Sequence, residues 1–276
     1  MVVEFICQIS AFALAISGSF TFWKVQHLYE FYIPIILFIA GYLLGIAISW
    51  MIIDITGRVM FSKKKEYTKK PSKIARFWLI QGIWFINHHA MIKLDLRGKE
   101  KVPQKSRFLI VCNHRSKFDS MLITEKFGQR DIAFITKESN MKIPLAGRLM
   151  IGLRYLPVDR DDKLQSLLKM REAVSLIEND YSSVGVFPEG TRQSTKTIGD
   201  FHEGMLNIAI KSRVPIVVIT TKGTDQIHKR FPRPTKVRMD VLAIIHPEEY
   251  DGMSAKSLSD MIHNMMESHI EEMVIQ

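Results

Sequence analysis

Two uncharged runs near the amino terminus constrain this chain more than any other feature. Phe5 to Trp23 and Phe31 to Ile53 contain no Asp, Glu, Lys or Arg over 19 and 23 residues. A helix rises 1.5 Å per residue, so either run is long enough to cross about 30 Å of hydrocarbon. The short polar stretch Lys24–Glu30 separates them. Residues 1–56 are therefore predicted to form a transmembrane hairpin. The competing reading is a cleaved signal peptide. Against it, Glu4 stands where a positive residue belongs, and no small-residue cleavage site follows the apolar run.

Arg58, Lys63, Lys64, Lys65, Lys69, Lys70, Lys73 and Arg76 come next. Positive residues stay on the cytoplasmic side and attract anionic lipid at about 1 kcal/mol per charge. Both hairpin ends, and everything downstream, are expected at the cytoplasmic face of the cell membrane, as a multi-pass protein. Residues 57–92 read as a basic linker followed by a helix over Ala75–Met91. That helix carries Phe77, Trp78, Ile80, Ile83, Trp84 and Phe85, interrupted by Gln81, Asn87, His88 and His89. It is too short to span, so it either lies in the membrane interface or packs on a domain. Adjacent His88 and His89 point about 100° apart on a helix and make no metal pair.

Lys and Arg total 38 against 28 for Asp and Glu, a net charge of +10. That balance suits nucleic acid, an anionic membrane or a phosphorylated substrate. The two cysteines, Cys7 and Cys112, lie in an apolar segment and at a strand end. They form no disulfide framework, which fits reduced, cytosol-facing chemistry.

From Lys93 to the carboxyl terminus the pattern alternates between short β-rich runs and helical stretches. Predicted strands are 108–111, 132–136, 155–158, 184–187, 215–220 and 237–246. Predicted helices are 119–127, 144–151, 163–178, 201–213 and 254–273. Such alternation defines an α/β domain over residues 93–276, with a mostly parallel sheet flanked by helices. Leu164, Leu167, Leu168, Arg171, Val174 and Ile177 form a helical stripe, expected to pack on the core.

The chemistry sits at strand ends. The strand over 108–111 stops at Asn113 and His114, and Asp119 follows five residues after the histidine. On a continuous helix a spacing of five separates side chains by about 140°. If the strand ends in a tight turn, imidazole and carboxylate can meet at the carboxyl edge of the sheet, where open α/β sheets hold ligands. A carboxylate on one ring nitrogen fixes the tautomer and leaves the other nitrogen as a general base. Taken alone, the same residues describe an ordinary turn with a satisfied histidine. Three further strand ends carry cations: Pro188-Glu189-Gly190-Thr191-Arg192, Asp159-Arg160 and Lys137-Glu138. Arginine's planar fork matches phosphate oxygens. A histidine base beside an anion site results. The chain has no G-x-S-x-G nucleophile elbow and no grouped metal ligands.

These residues resemble the glycerophospholipid acyltransferase family, its bacterial lysophosphatidic acid acyltransferases in particular. Asn113-His114 to Asp119 is similar to the family's first block, Val158-Asp159-Arg160 to the tail of its second, and Phe187-Pro-Glu-Gly-Thr-Arg192 to its third. Phe201 and Gly204 stand where the family has a similar F-x-x-G, and Val214-Pro215-Ile216-Val217 resembles the fourth block. Two positions depart from it: Arg154 occupies a place usually held by glycine, and Val218 one often held by proline.

The resemblance implies a glycerol-3-phosphate acyltransferase-like fold. It also implies transfer of an acyl group from a thioester to the sn-2 hydroxyl of lysophosphatidic acid, giving phosphatidic acid. His114 would be the base and Asp119 its orienting carboxylate. Arg160, Glu189, Gly190, Thr191 and Arg192 would hold the acceptor's phosphate, with Lys137 a further cation. The resemblance assigns no oxyanion donors; backbone N–H groups near Asn113 or Gly190 are candidates by position alone. Acyl-CoA or acyl carrier protein would be the co-substrate, with no metal, no other cofactor and no nucleic acid. Two alternatives stay open: a different acceptor, such as glycerol 3-phosphate or another lyso-phospholipid, and a non-catalytic protein that binds anionic lipid.

Overall fold

The computed structural model describes residues 1–21, 32–61, 70–159, 162–193 and 197–273. Two long apolar helices come first, α1 (Val2–Thr21) and α2 (Tyr32–Met60), then α3 (Lys73–His89). The remainder alternates: β1 (Ile92–Arg97), β2 (Leu109–Cys112), α4 (Lys117–Phe127), β3 (Ile132–Lys137), α5 (Ala146–Gly152) and β4 (Leu156–Val158). After these come α6 (Lys163–Glu178), β5 (Ser183–Val186), α7 (Asn207–Ser212), β6 (Ile216–Lys222), α8 (Ile227–Arg230), β7 (Thr235–Ile245) and α9 (Ala255–Glu272).

The strands form one seven-stranded sheet in the order β1-β7-β6-β2-β5-β3-β4. All neighbours run parallel except β6 and β7. Strand β2 shows why the centre is buried on both faces. Its side chains alternate, Ile110 and Cys112 joining one core, Leu109 and Val111 the other. The first core is closed by α3, α4, α5 and the amino-terminal helices, the second by α6, α7 and α9.

The domain agrees with the α/β expectation, and three details differ. Edge strand β1 was absent from the sequence reading. Its half-exposed pattern, with Ile92, Leu94 and Leu96 against Lys93, Asp95 and Arg97, gives a weaker signal than a buried run. The expected helix over 201–213 is a 3₁₀ turn at Glu203–Leu206 followed by α7. Helix α6 has the expected bounds, capped by the Asp162 carboxylate accepting from Gln165 N. Its stripe, however, packs on the core only at its carboxyl end, at Val174 and Ile177. Leu164, Leu167 and Leu168 are 67%, 42% and 51% exposed, whereas Ile177 is buried together with Ala173 and Leu176, which lie outside the stripe. Periodicity identified a helical face, but not which end of it the sheet would cover.

Helices α1 and α2 pack antiparallel, with Gly41 against Ser10 and Ala11 and Gly45 against Cys7. Among the described residues, α2 alone has the length and composition to cross a membrane, and the apolar part of α1, Val2–Gly18, is shorter. The predicted turn at Lys24–Glu30 lies outside the described residues. The pair does not stand apart from the domain. Val3, Cys7, Ile53 and Phe61 share a core with Ala75, Leu79 and Leu149. The Tyr42 hydroxyl lies 3.0 Å from Glu4 Oε2 and 2.7 Å from His89 Nε2, tying α1, α2 and α3 together. Helix α3 buries Ala75, Leu79, Ile83 and Asn87 on the domain while Phe77 and Ile86 stay exposed, so it combines both readings of that segment.

The direction of α2 follows from these contacts. Phe61 lies near Ala75 at the start of α3, and Tyr42 meets His89 at its end. His89 leads directly into β1, which begins where β7 begins and β6 ends. The stretch 32–41 therefore extends past the carboxyl edge of the parallel strands, by about 15 Å at 1.5 Å per residue.

Candidate active site

Strand β2 ends at Cys112, and the chain turns sharply before α4 begins at Lys117. Ser116 caps the helix in a capping box with Asp119 as its third residue. That cap brings the histidine and aspartate together, because it reverses the chain within the five-residue spacing. His114 Nδ1 lies 3.0 Å from Asp119 Oδ2, with the imidazole 14% exposed and the carboxylate fully buried. An aspartate acceptor places the proton on Nδ1 and leaves Nε2 with its lone pair.

Asp119 is held from every side. Its Oδ2 also accepts from Arg115 N and Ser116 N, both at 2.7 Å. Its Oδ1 accepts from the hydroxyls of Thr221 at 3.1 Å and Thr224 at 2.6 Å, at the end of β6. Asn113 fastens the same turn to β6: its Nδ2 donates to Thr221 O at 3.0 Å, and its Oδ1 accepts from Thr221 N at 2.7 Å. The imidazole stacks on Phe187, with centroids 4.2 Å apart, and Phe187 stacks in turn on Phe134. Phe134 meets the edge of Tyr155, whose buried hydroxyl pairs with Thr124 and has its pKa pushed up to about 12 by burial. Burial likewise holds the Cys112 thiol well above its ordinary pKa, so it is no nucleophile at neutral pH.

The third block, Phe187–Arg192, folds as a turn after β5. Gly190 takes a left-handed φ of 70°, and a Cβ there would lie 2.6 Å from the His202 ring. Thr191 and Arg192 are exposed beside His114, since Gln193 N donates to the His114 carbonyl at 2.9 Å. Glu189 requires a correction. It was expected in the phosphate site, yet it is buried and both its oxygens are engaged inward. Oε1 accepts from His114 N at 2.6 Å and Oε2 from Gly199 N at 2.9 Å. Burial raises its pKa, and those two N–H bonds oppose the rise. Glu189 therefore braces the histidine turn.

The expected oxyanion donors also need correction at Gly190, because its N–H donates to Phe187 O at 3.0 Å. The N–H groups of His114, Arg115, Ser116 and Thr191 are likewise engaged. Lys137 is exposed at the end of β3, two strands from β2 and so roughly 10 Å along the edge. Arg160 lies outside the described residues. Arg154 takes the left-handed conformation, φ 64°, that a glycine would adopt without strain, and its guanidinium reaches Glu172 of α6 at 3.2 Å. Among the described residues no group of His, Cys, Asp and Glu is arranged to hold a metal ion. Sequence reasoning missed Thr221 and Thr224, and it gave Phe187, quoted in its block, no role against the imidazole. The run Thr220-Thr221-Lys222-Gly223-Thr224 at the end of β6 was the available signal for the first two.

A buried carboxylate orienting a mostly buried imidazole, next to an exposed arginine turn at a sheet edge, has the chemistry of a general base beside an anion-binding turn. Residues 93–222 match the family model described as Acyltransferase. The chain is 30% identical over 220 residues to the chloroplastic 1-acyl-sn-glycerol-3-phosphate acyltransferase BAT2 of Brassica napus, covering 79% of this chain and 61% of that one. It is 26% identical over 208 residues to the 1-acyl-sn-glycerol-3-phosphate acyltransferase of Haemophilus influenzae, covering 74% and 85%. The chain spans 61% and 55% of the lengths of the Brassica napus and Cocos nucifera relatives. The crystal structure of the 1-acyl-sn-glycerophosphate (LPA) acyltransferase PlsC from Thermotoga maritima shares the fold, at a TM-score of 0.59 and 24% identity over 82% of this chain and 93% of that one.

Proposed function

We propose that the protein is a membrane-bound acyltransferase that moves a fatty acyl group from a thioester to the sn-2 hydroxyl of lysophosphatidic acid, forming phosphatidic acid. The observation that carries this reading is the His114–Asp119 pair, with Nε2 free and Arg192 exposed on the adjoining turn. His114 Nε2 accepts the proton of the acceptor hydroxyl as its oxygen attacks the thioester carbonyl. The tetrahedral intermediate then collapses, the carbon–sulfur bond breaks, and the thiol leaves with a proton returned by the imidazolium. A thioester is already activated, so no covalent enzyme intermediate is required. Asp119 holds the tautomer and stabilises the imidazolium. A positioned base of this kind contributes typically 10²–10⁴-fold.

Thr191 and Arg192 bind the phosphate of the acceptor, with Arg160 and Lys137 as further cations and Gly190 shaping the turn. The catalytic domain faces the cytoplasm, anchored by α1 and α2, which suits an acceptor and product that both reside in the bilayer. Support for the acceptor comes from the names of the relatives, all 1-acyl-sn-glycerol-3-phosphate acyltransferases. The co-substrate is acyl-CoA or acyl carrier protein. The test is incubation of membranes containing the protein with lysophosphatidic acid and each donor separately, with the lipid product identified by mass. Phosphatidic acid formed by the protein and absent with His114→Ala supports the reading; product from glycerol 3-phosphate alone would move it to the other acceptor.

A further inference from the structure

We propose that Leu164, Leu167 and Leu168 of α6 form a second membrane contact, on the opposite face of the sheet from the amino-terminal helices. The inference extends the function proposed above, since it rests on the carboxyl edge of the sheet being the side that meets lipid. Three leucines at helical spacing, each 42–67% exposed, together present apolar surface. Their position supplies the partner. Four residues separate the end of β4 from the start of α6, so the first two turns of α6 stand at the carboxyl edge that also carries His114. The stretch 32–41 of α2 extends past this same edge.

Two other exposed apolar side chains come from separate connections there. Ile143, 45% exposed, follows β3, and Phe231, 61% exposed, lies between β6 and β7. Cations accompany them, Lys142 beside Ile143 and Arg230 and Arg233 around Phe231. The α6 leucines, Ile143 and Phe231 come from three separate segments that share only the edge. Seven strands at about 4.8 Å spacing make that edge roughly 29 Å wide. A flat anionic bilayer reaches all of it at once, and the net charge of +10 is complementary to such a surface. The amino-terminal helices join the core on one face of the sheet and α6 joins the other, so the two contacts would straddle His114.

The test uses the full chain reconstituted in phosphatidylcholine–phosphatidylglycerol vesicles. A nitrobenzoxadiazole probe is placed at Leu168→Cys or, as control, at exposed Glu178→Cys at the far end of α6; the native Cys7 and Cys112 are both buried. Doxyl-labelled phospholipid is expected to quench the probe at 168 at least threefold more than at 178. Equal, weak quenching at both positions overturns the proposal. So does a probe at 168 that responds only to added acyl carrier protein, which would make the face a protein docking site. In parallel, the variant Leu164→Gln/Leu167→Gln/Leu168→Gln should turn over long-chain acceptor in vesicles roughly tenfold more slowly, the effect of about 1.4 kcal/mol of lost binding. Its turnover of a monomeric short-chain acceptor should be unchanged. A parent protein inactive on both acceptors would refute the proposed function, while the quenching result would still decide the membrane contact.

Discussion

At the scale of single residues, the account turns on how completely Asp119 is surrounded. Two backbone N–H groups, two threonine hydroxyls and the imidazole all direct protons at one buried carboxylate. An amide of the same shape offers only one accepting oxygen and turns two N–H bonds toward groups that are themselves donors. Asp119→Asn is therefore expected to lower kcat by about 10²–10⁴-fold, the range associated with a positioned base. Steady-state rates at saturating acceptor check this, with circular dichroism confirming the fold. Gly190 allows a different test. Alanine there would take a left-handed conformation costing roughly 1–2 kcal/mol and would also press on His202. Gly190→Ala should lower the thermal midpoint, and adding His202→Ala should recover only the steric part. His114, Asp119 and the Phe187–Arg192 turn were legible as a site because rare residue types stood at strand ends. The role of Glu189 was not, since sequence cannot tell a carboxylate that faces a ligand from one that turns inward to backbone N–H groups.

Elements were legible where their pattern was strong and one-sided. The buried strands and the long helices came within a few residues of their observed bounds, whereas β1 and the broken start of α7 did not. Helix α6 shows the limit most clearly, because the same periodicity describes a face against a sheet and a face turned outward. A pH test belongs at the contact between β7 and α9. Burial alone would raise the pKa of Asp240, but hydrogen bonds from Arg238 and from His269 at 2.8 Å outweigh it and the pKa is lowered. A carboxylate with a depressed folded pKa contributes stability above its unfolded pKa, near 3.9, and loses that contribution as the pH falls through the folded value. Asp240→Asn should thus cost about 1–3 kcal/mol at neutral pH, with Arg238 left underpaired. The gap to the parent should close below about pH 4 in denaturant titrations. A gap that persists unchanged into acid would show that the loss is one of packing.

At the scale of the whole molecule, the amino-terminal helices proposed as the membrane anchor are also part of the domain's core. Hydropathy alone marked them as a separate hairpin, because it registers apolar length and is blind to which side chains meet a neighbouring helix. Removing residues 1–71 would uncover Ala75, Leu79 and Leu149, which now share a core with Val3, Cys7, Ile53 and Phe61. The shortened chain is expected to lose thermal stability and to self-associate on size exclusion, even in detergent. An unaltered midpoint would show that the anchor and the domain fold independently.

The central claim is that His114, aligned by Asp119, takes the proton from a lipid hydroxyl. It is tested most directly by kcat/KM of the intact protein and of His114→Ala, with lysophosphatidic acid and an acyl thioester. A fall of at least 10²-fold with an unchanged thermal midpoint is expected for the loss of a positioned general base. Turnover within about threefold of the parent, less than 1 kcal/mol of transition-state stabilisation, would contradict the claim.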